Sequence, residues 1–235
     1  MNSNLNIGGD GVMPQMSKRK ELEIYRDIKL AITQHKLLPN TQLVEDALAE
    51  AFEVSRTPIR NVLRRLAMEK LVTVIPYRGA FVSCPSVEEA REVFEMRRVI
   101  EASMVRKLCE TVRPEQLAPL EVLIREEHQA SHEGDIVGAL DVTVDIHLKL
   151  AELTDNYYYY HFLEELISLT SVIIALYGTN QSFCKDHEEL IAAILRQDGE
   201  RAAGIMTEHL WQIERSLNFT ETTSNILNFK EIFQS

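Results

Sequence analysis

Apolar residues recur every three to four positions along most of the chain, which is the spacing that places them on one face of an α-helix. In the first third of the chain this pattern predicts helices over residues 20–36, over residues 45–52 and from residue 56 onward, with Ser55 as the expected cap of the last. Residues 42–44 are predicted to form a short strand. Residues 1–17 lack this periodicity, and we predict a disordered leader there.

After the third helix the pattern changes to β-branched and aromatic residues. Segments 72–75 and 80–83 flank Pro76-Tyr77-Arg78-Gly79, which is typical of a β-hairpin. Two helices joined by a turn and followed by a hairpin are the plan of a winged helix-turn-helix, whose recognition helix enters the major groove of DNA. The sequence therefore predicts a winged helix-turn-helix domain over residues 18–85.

Arginines lie on the third helix on a face other than its apolar stripe, at Arg56, Arg60 and Arg64. An arginine in the major groove can donate two hydrogen bonds to a guanine edge. Arginines at this spacing are also common on an ordinary solvated helix face. The turn and the hairpin beside them favour DNA contact.

Beyond Pro85 the helical pattern continues without a β-rich segment. It predicts an all-α bundle over residues 86–218 and a C-terminal tail over residues 219–235, so that the fold as a whole is mainly α. The predicted helical segments cover residues 86–109, 114–132, 135–153, 156–177, 183–197 and 199–217.

Charge is divided unevenly between these parts. Residues 1–85 contain 12 Lys+Arg and 9 Asp+Glu, whereas the remainder contains 13 Lys+Arg and 27 Asp+Glu. A mildly basic N-terminal part on an acidic body is compatible with a regulator that touches phosphate at one end. The cysteines, at positions 84, 109 and 184, lie far apart, and the longest apolar run, residues 166–177, is interrupted by polar residues. We expect reduced thiols, no membrane segment and a cytoplasmic location.

Histidines occur on the predicted third, fifth and sixth helices of the bundle, at His147, His187 and His209. Imidazoles from antiparallel helices can converge, and neutral imidazole binds Zn²⁺ and Ni²⁺ well. Isolated histidines are more often surface residues or hydrogen-bonded core residues, so a metal site and a metal-free pocket are both open.

The N-terminal motifs closely resemble those of GntR-family repressors. The resemblance rests on Leu48-Ala49-Glu50, on Val54-Ser55-Arg56-Thr57-Pro58 with the helix that follows, and on residues 76–82. It implies that Arg56 and Arg60 read bases, and that Thr57, Arg78 and Gly79 help to anchor the domain on DNA. Many members have arginine where this chain has Asp46, so a different operator preference is expected.

The C-terminal part is similar to the FCD effector domain of FadR-like members of that family. The resemblance rests on residues 95–101, on the segment around His147, and on His187 and His209. Many such domains hold a divalent metal with these histidines and an aspartate four residues before the first, where this chain has Thr143. Asp145 is two residues from His147, which is ~200° away on a helix, so Asp145 is not expected to replace that ligand.

Effectors of such domains are often small carboxylates. The resemblance implies that Arg97 or Arg98 binds the carboxylate of the effector and that Thr143 also contacts the effector. The other arginine is expected in a surface salt bridge. Residues 168–174 lack the arginines that many relatives have there, which favours a less charged effector. The predicted function is a homodimeric repressor of a palindromic operator, controlled by a small molecule. A metal-responsive regulator and a metal-dependent enzyme are the alternatives.

Overall fold

The computed structural model describes residues 13–178 and 185–219. In the N-terminal part, helices α1 (Met13–Thr33), α2 (Glu45–Ala51) and α3 (Arg56–Met68) are joined by a small sheet. Its strands are β1 (Gln42–Leu43), β2 (Val72–Ile75) and β3 (Gly79–Val82), in the antiparallel order β1-β3-β2. This arrangement is the predicted winged helix-turn-helix, in which the hairpin of β2 and β3 is the wing.

The ends of the elements differ from the prediction in a few places. Helix α1 begins at Met13, so residues 13–17 are helical rather than disordered, and residues 1–12 lie outside the described residues. The helix ends at Thr33 because the backbone of His35 is left-handed, with a φ of 58°. Ser55 is the residue before α3, as predicted, but its side chain makes no capping hydrogen bond.

The C-terminal part is helical throughout its described residues. Its helices are α4 (Val87–Thr111), α5 (Ala118–Glu133), α6 (Ile136–Leu153), α7 (Tyr157–Tyr177), α8 (Lys185–Leu195) and α9 (Gly199–Ser216), with a 3₁₀ turn at Pro114–Leu117 before α5. Polar caps fix several starts: the Ser86 hydroxyl accepts from the Glu89 amide at 3.1 Å, and Asp135 accepts from Gly138 at 2.9 Å. These elements confirm the predicted mainly α fold.

Each part has its own apolar core. Ile28, Leu48 and Leu66 are buried in the N-terminal core, and Phe94 and Leu150 in the bundle. Among the described helices, α7 is long and apolar enough to cross a membrane by length and composition alone, but 44% of its apolar window is buried inside the protein, as in a core helix. Its buried residues pack into the protein's two cores.

Helix α1 also joins the two parts. Val172 of α7 packs in the N-terminal core. The Gln34 amide donates to Oδ2 of Asp141 at 2.8 Å, and Nε2 of His35 donates to the carbonyl oxygen of Ser171 at 3.0 Å. The end of α1 therefore rests on α6 and α7.

Candidate functional site

Helix α3 has the face expected of a recognition helix. It buries Ile59, Val62, Leu63 and Leu66 against the N-terminal core. The residues predicted to contact DNA are all exposed: Arg56, Thr57, Arg60 and Arg64 on α3, and Arg78 and Gly79 at the hairpin. Gly79 has a φ of 103°, which only glycine adopts readily, so the hairpin tip depends on it.

The two arginines expected to read bases are already paired with carboxylates of α2. Arg60 donates through Nε and Nη2 to the two oxygens of Glu45, at 3.1 and 2.7 Å, and Arg56 pairs with Asp46. Hydrogen bonds from Arg60 hold the pKa of Glu45 below its ordinary value, although burial opposes the shift. Asp46 is the position at which the chain departs from the arginine of many family members, and the pairing of Arg60 with Glu45 was not predicted from the sequence.

The three predicted histidines converge in the bundle. His147 comes from α6, His187 from α8 and His209 from α9, and all are buried. Nε2 of His147 lies 3.4 Å from Nε2 of His187 and 3.4 Å from Nε2 of His209. One ligand atom from each of the three lies within 4.8 Å of the others.

A carboxylate lies against Nδ1 of each histidine. Glu101 of α4 accepts from His147, Glu127 of α5 from His187 at 2.8 Å, and Asp186 of α8 from His209 at 3.2 Å. A carboxylate partner keeps the proton on Nδ1 and leaves the lone pair of Nε2 for a ligand.

These carboxylates were not predicted as part of the site. A signal for two of them existed in the sequence, because Glu101 and Glu127 lie on apolar helix faces. Glu101 precedes Met104 and Val105 by three and four residues, and Glu127 follows Ile124 by three. A buried acid on such a face requires a partner.

The electrostatics of the cluster favour neutral imidazoles beside charged carboxylates. Burial lowers the pKa of His147 and brings that of His209 to about 3. Burial alone would raise the pKa of Glu101, but the charges of Arg97 and His147 outweigh it and bring it to about 2. Neutral imidazole is the form that binds a metal ion.

The residues fit a divalent metal with nitrogen ligands. Two imidazole nitrogens ~2.0–2.1 Å from Zn²⁺ at the tetrahedral angle lie about 3.4 Å apart, which is the distance from Nε2 of His147 to Nε2 of His187 and to Nε2 of His209. Unprotonated nitrogens brought this close repel one another unless a cation or a proton lies between them.

Thr143 does not provide the anionic aspartate ligand that the resemblance to FCD domains implies at this position. Its hydroxyl donates to Oε1 of Glu127, and it lies 2.9 Å from the carbonyl oxygen of Ala139. Asp145 is exposed, as its helical offset from His147 predicted. Thr143 therefore supports the cluster through Glu127.

The adjacent arginines have different environments. Arg97 is 4% exposed, and its Nε donates to Oε1 of Glu101 at 2.7 Å. Arg98 lies over the ring of Trp211 and donates to Oε2 of Glu214 at 2.5 Å. Arg98 is outside the lining of the cavity described next, so its prediction as an effector contact is corrected. Its salt bridge with Glu214 is also not the surface salt bridge that was expected, because the two side chains are only 12% and 11% exposed.

A cavity of about 270 Å³ adjoins the histidine cluster. Its polar lining includes Arg97, Thr143, His147, Thr170 and Ser171. Apolar side chains make up much of the remaining wall, namely Ile136, Ala139, Leu140, Val144, Ile167, Ile174, Ile213 and Leu217. This pocket is suited to a small organic molecule that has both polar and apolar groups.

Comparison with known proteins gives two family matches. Residues 20–82 match the model described as bacterial regulatory proteins, gntR family, and residues 92–212 match the FCD domain. The chain is 24% identical over 199 residues to the HTH-type transcriptional repressor RspR of Escherichia coli K12, which covers 83% of this chain and 87% of RspR. It is also 25% identical over 210 residues to the HTH-type transcriptional regulator McbR of the same organism, an alignment that covers 85% of this chain and 95% of McbR.

Solved structures share the fold. The E. coli McbR/YncC structure has a TM-score of 0.74 at 22% identity, and the alignment covers 82% of this chain and 94% of the McbR/YncC chain. A putative GntR regulator from Rhodococcus sp. RHA1 has a TM-score of 0.76 at 19% identity, and the alignment covers 84% of this chain and 96% of the Rhodococcus chain. The families and relatives are transcriptional regulators, which supports a regulator over an enzyme. The chain belongs to the GntR family of bacterial transcriptional regulators, and its C-terminal part is an FCD domain.

Proposed function

We propose that the chain is a cytoplasmic, homodimeric repressor whose operator affinity is controlled by a small carboxylate bound in the FCD domain. Residues 18–85 are the DNA-binding domain and residues 86–218 the effector domain in this proposal. The observation that carries it is the convergence of the carboxylate-paired histidines His147, His187 and His209 beside a cavity lined by Arg97.

In the DNA-binding domain, Arg56 and Arg60 read base edges while Thr57, Arg64, Arg78 and Gly79 anchor the backbone. In the free protein Arg56 and Arg60 are held by Asp46 and Glu45. Guanine edges and phosphates compete with these carboxylates when DNA binds. Two copies of the domain in a dimer would read a palindrome.

In the effector domain, the Nε2 atoms of His147, His187 and His209 would hold a Zn²⁺ or Ni²⁺ ion. The ion would supply a Lewis-acid anchor for a carboxylate oxygen. Glu101, Glu127 and Asp186 keep the imidazoles in the tautomer required, and the Arg97 guanidinium beside them adds positive charge for the same anion.

The test begins with selection of an operator from random oligonucleotides and elemental analysis of the purified protein. Operator affinity is then measured with chelated protein, with Zn²⁺- or Ni²⁺-loaded protein, and with loaded protein plus acetate, succinate or citrate. We expect about one equivalent of metal per chain and weaker operator binding when a carboxylate is added. The absence of any sequence preference at moderate ionic strength would refute DNA-reading by α3.

The metal-responsive regulator without an organic effector is the second candidate. The burial of all three histidines favours it, since His147 and His187 are 1% exposed and His209 is 2% exposed. Structural metal sites are closed in this way. Operator affinity that follows metal loading but none of the carboxylates would support this candidate.

A further inference from the structure

The cavity beside the histidine cluster has walls from both parts of the chain. Thr33 and His35, at the end of α1 in the DNA-binding part, line it together with Arg97 and His147 of the bundle. A molecule that fills this cavity therefore touches the DNA-binding part directly.

The same residues hold the two parts together. Gln34 donates to Asp141, and His35 donates to the Ser171 carbonyl. Asp141 and Ser171 both line the cavity. The salt bridge from Lys29 to Glu164, 3.5 Å long, joins the parts outside that lining. Two residues, Asp141 of α6 and Ser171 of α7, therefore both hold the DNA-binding part in place and line the cavity that a ligand would fill.

The polar groups of the cavity differ along α6. At the end of the cavity formed by His147 and Arg97, a metal ion held by the histidine cluster would supply the positive charge that suits a carboxylate, together with the Arg97 guanidinium. Asp141 lies six residues earlier on α6, or ~9 Å along the helix axis. Val144 of α6 and Ile167 and Ile174 of α7 add apolar wall to the cavity. The hydroxyls of the lining residues Thr143 and Thr170 are bonded to Glu127 and to the Leu166 carbonyl.

The end of the cavity at Asp141 favours a neutral hydrogen-bond donor. Because Nε2 of His35 donates to the Ser171 carbonyl, Nδ1 of the neutral ring is an acceptor. Burial lowers the pKa of His35, which keeps the ring neutral at pH 7. Asp141 is a second acceptor there, so a hydroxyl group is favoured and a second carboxylate is repelled.

We propose that the effector is a hydroxyl-terminated monocarboxylate with an apolar middle of about six to eight carbon atoms, long enough for ~9 Å, and that its hydroxyl end contacts Thr33 and His35. This proposal rests on the proposed function, because it takes the carboxylate end to lie at Arg97 and the histidine cluster. The effector then acts on operator affinity through direct contact with the DNA-binding part at the His35–Ser171 and Gln34–Asp141 contacts.

The probes for the test are 8-hydroxyoctanoate, octanoate and octanedioate, with acetate as a short acid. Binding to metal-loaded protein is measured by calorimetry, and operator affinity by fluorescence anisotropy. The variant is His35→Asn, because asparagine tolerates the left-handed backbone at this position. Gln197→Asn is the matched control, since Gln197 also has a φ of 58° at a helix end but is outside the cavity lining.

We expect 8-hydroxyoctanoate to bind about tenfold more tightly than octanoate or octanedioate, which is the effect of one hydrogen bond. His35→Asn should remove that preference, keep its metal content, and abolish the effect of 8-hydroxyoctanoate on operator affinity. Gln197→Asn should behave as the wild type. Thr33→Val, which retains the shape of the side chain, is a second variant that tests the same contact if His35→Asn does not fold.

An unchanged preference in both His35→Asn and Thr33→Val would overturn the proposed contact with the DNA-binding part. Tighter binding of octanedioate than of 8-hydroxyoctanoate would overturn the assignment of the hydroxyl end. In either case a response of operator affinity to acetate or to the longer acids would leave the proposed function intact.

If none of the four acids binds the metal-loaded protein, the ligand class proposed here is wrong. If acetate, succinate and citrate also leave operator affinity unchanged, the carboxylate-controlled function fails with it.

Discussion

The Oε2 atom of Glu127 accepts a hydrogen bond from Nδ1 of His187 at 2.8 Å, although 60 residues separate the two in sequence. The other oxygen of Glu127 accepts from the Thr143 hydroxyl. Glu127 is 2% exposed. Thr143, at the position where the resemblance to FCD domains implies an aspartate ligand, thus stabilises the carboxylate partner of His187.

Thr143→Val should lower the free energy of unfolding by about 1–3 kcal/mol, because a buried carboxylate oxygen loses its donor. Zn²⁺ affinity should fall as well, since Glu127 orients His187. Urea denaturation and a competitive chelator titration measure the two effects. Thr111→Val is the control, because the Thr111 hydroxyl also donates to the carbonyl four residues earlier, at 2.9 Å, but is exposed. Equal losses in the two variants would contradict a role through Glu127.

Arg97→Met and Arg98→Met should differ in stability although the residues are adjacent. Arg97 and Glu101 are a buried pair, with side chains 4% and 0% exposed, and removal of one partner of such a pair costs about 3–5 kcal/mol. Arg98 keeps some solvent contact, with its side chain 12% exposed, and we expect a loss of about 1 kcal/mol. Urea denaturation of both variants at pH 7 checks the order, and the reverse order would show that Glu101 does not depend on Arg97.

Glu45→Gln should strengthen operator binding, in the direction opposite to Arg60→Ala. The substitution removes a negative charge near DNA and releases the Arg60 guanidinium from a two-point hydrogen bond. Arg60→Ala should cost about 1–3 kcal/mol of binding at the base it reads. Anisotropy titrations at several salt concentrations measure both variants, with the exposed Glu115→Gln as a control far along the chain. Weaker binding by Glu45→Gln would instead mean that Glu45 positions Arg60 for the groove.

Metal-free protein should lose stability as the pH falls below about 6.5. Burial lowers the pKa of His209 from 6.5 to about 3 and lowers that of His147. The unfolded chain therefore takes up protons first, and each such group removes up to ~1.4 kcal/mol per pH unit until its folded pKa is reached. Glu101, with a folded pKa of about 2 against 4.5, adds to the loss below pH 4.5.

Thermal denaturation between pH 7.5 and pH 5.0, after dialysis against a chelator, tests this dependence. The melting temperature should fall with pH, and His209→Gln should flatten the slope. The exposed His132→Gln is the control and should leave the slope unchanged. A melting temperature that is constant over this range would contradict neutral, buried imidazoles in the folded protein.

The helices, the wing and the arginine-bearing face of α3 could be predicted from the sequence. Those features arise from local patterns, such as the apolar spacing of Ile59, Val62 and Leu66 and the cap at Ser86, which act within a few residues of one another. The corrections at the start of α1 and at Ser55 also concern local ends, where fraying and capping compete closely.

The packing of the helices fixes which carboxylates pair with the three histidines and which side chains line the cavity. Adjacent residues on a helix point ~100° apart, so the sequence alone left open which of Arg97 and Arg98 faces the interior. The pairing of Glu127 with His187 and the approach of His35 to Ser171 join residues 60 and 136 positions apart. Such contacts depend on how whole helices pack, which no periodicity within a single helix encodes.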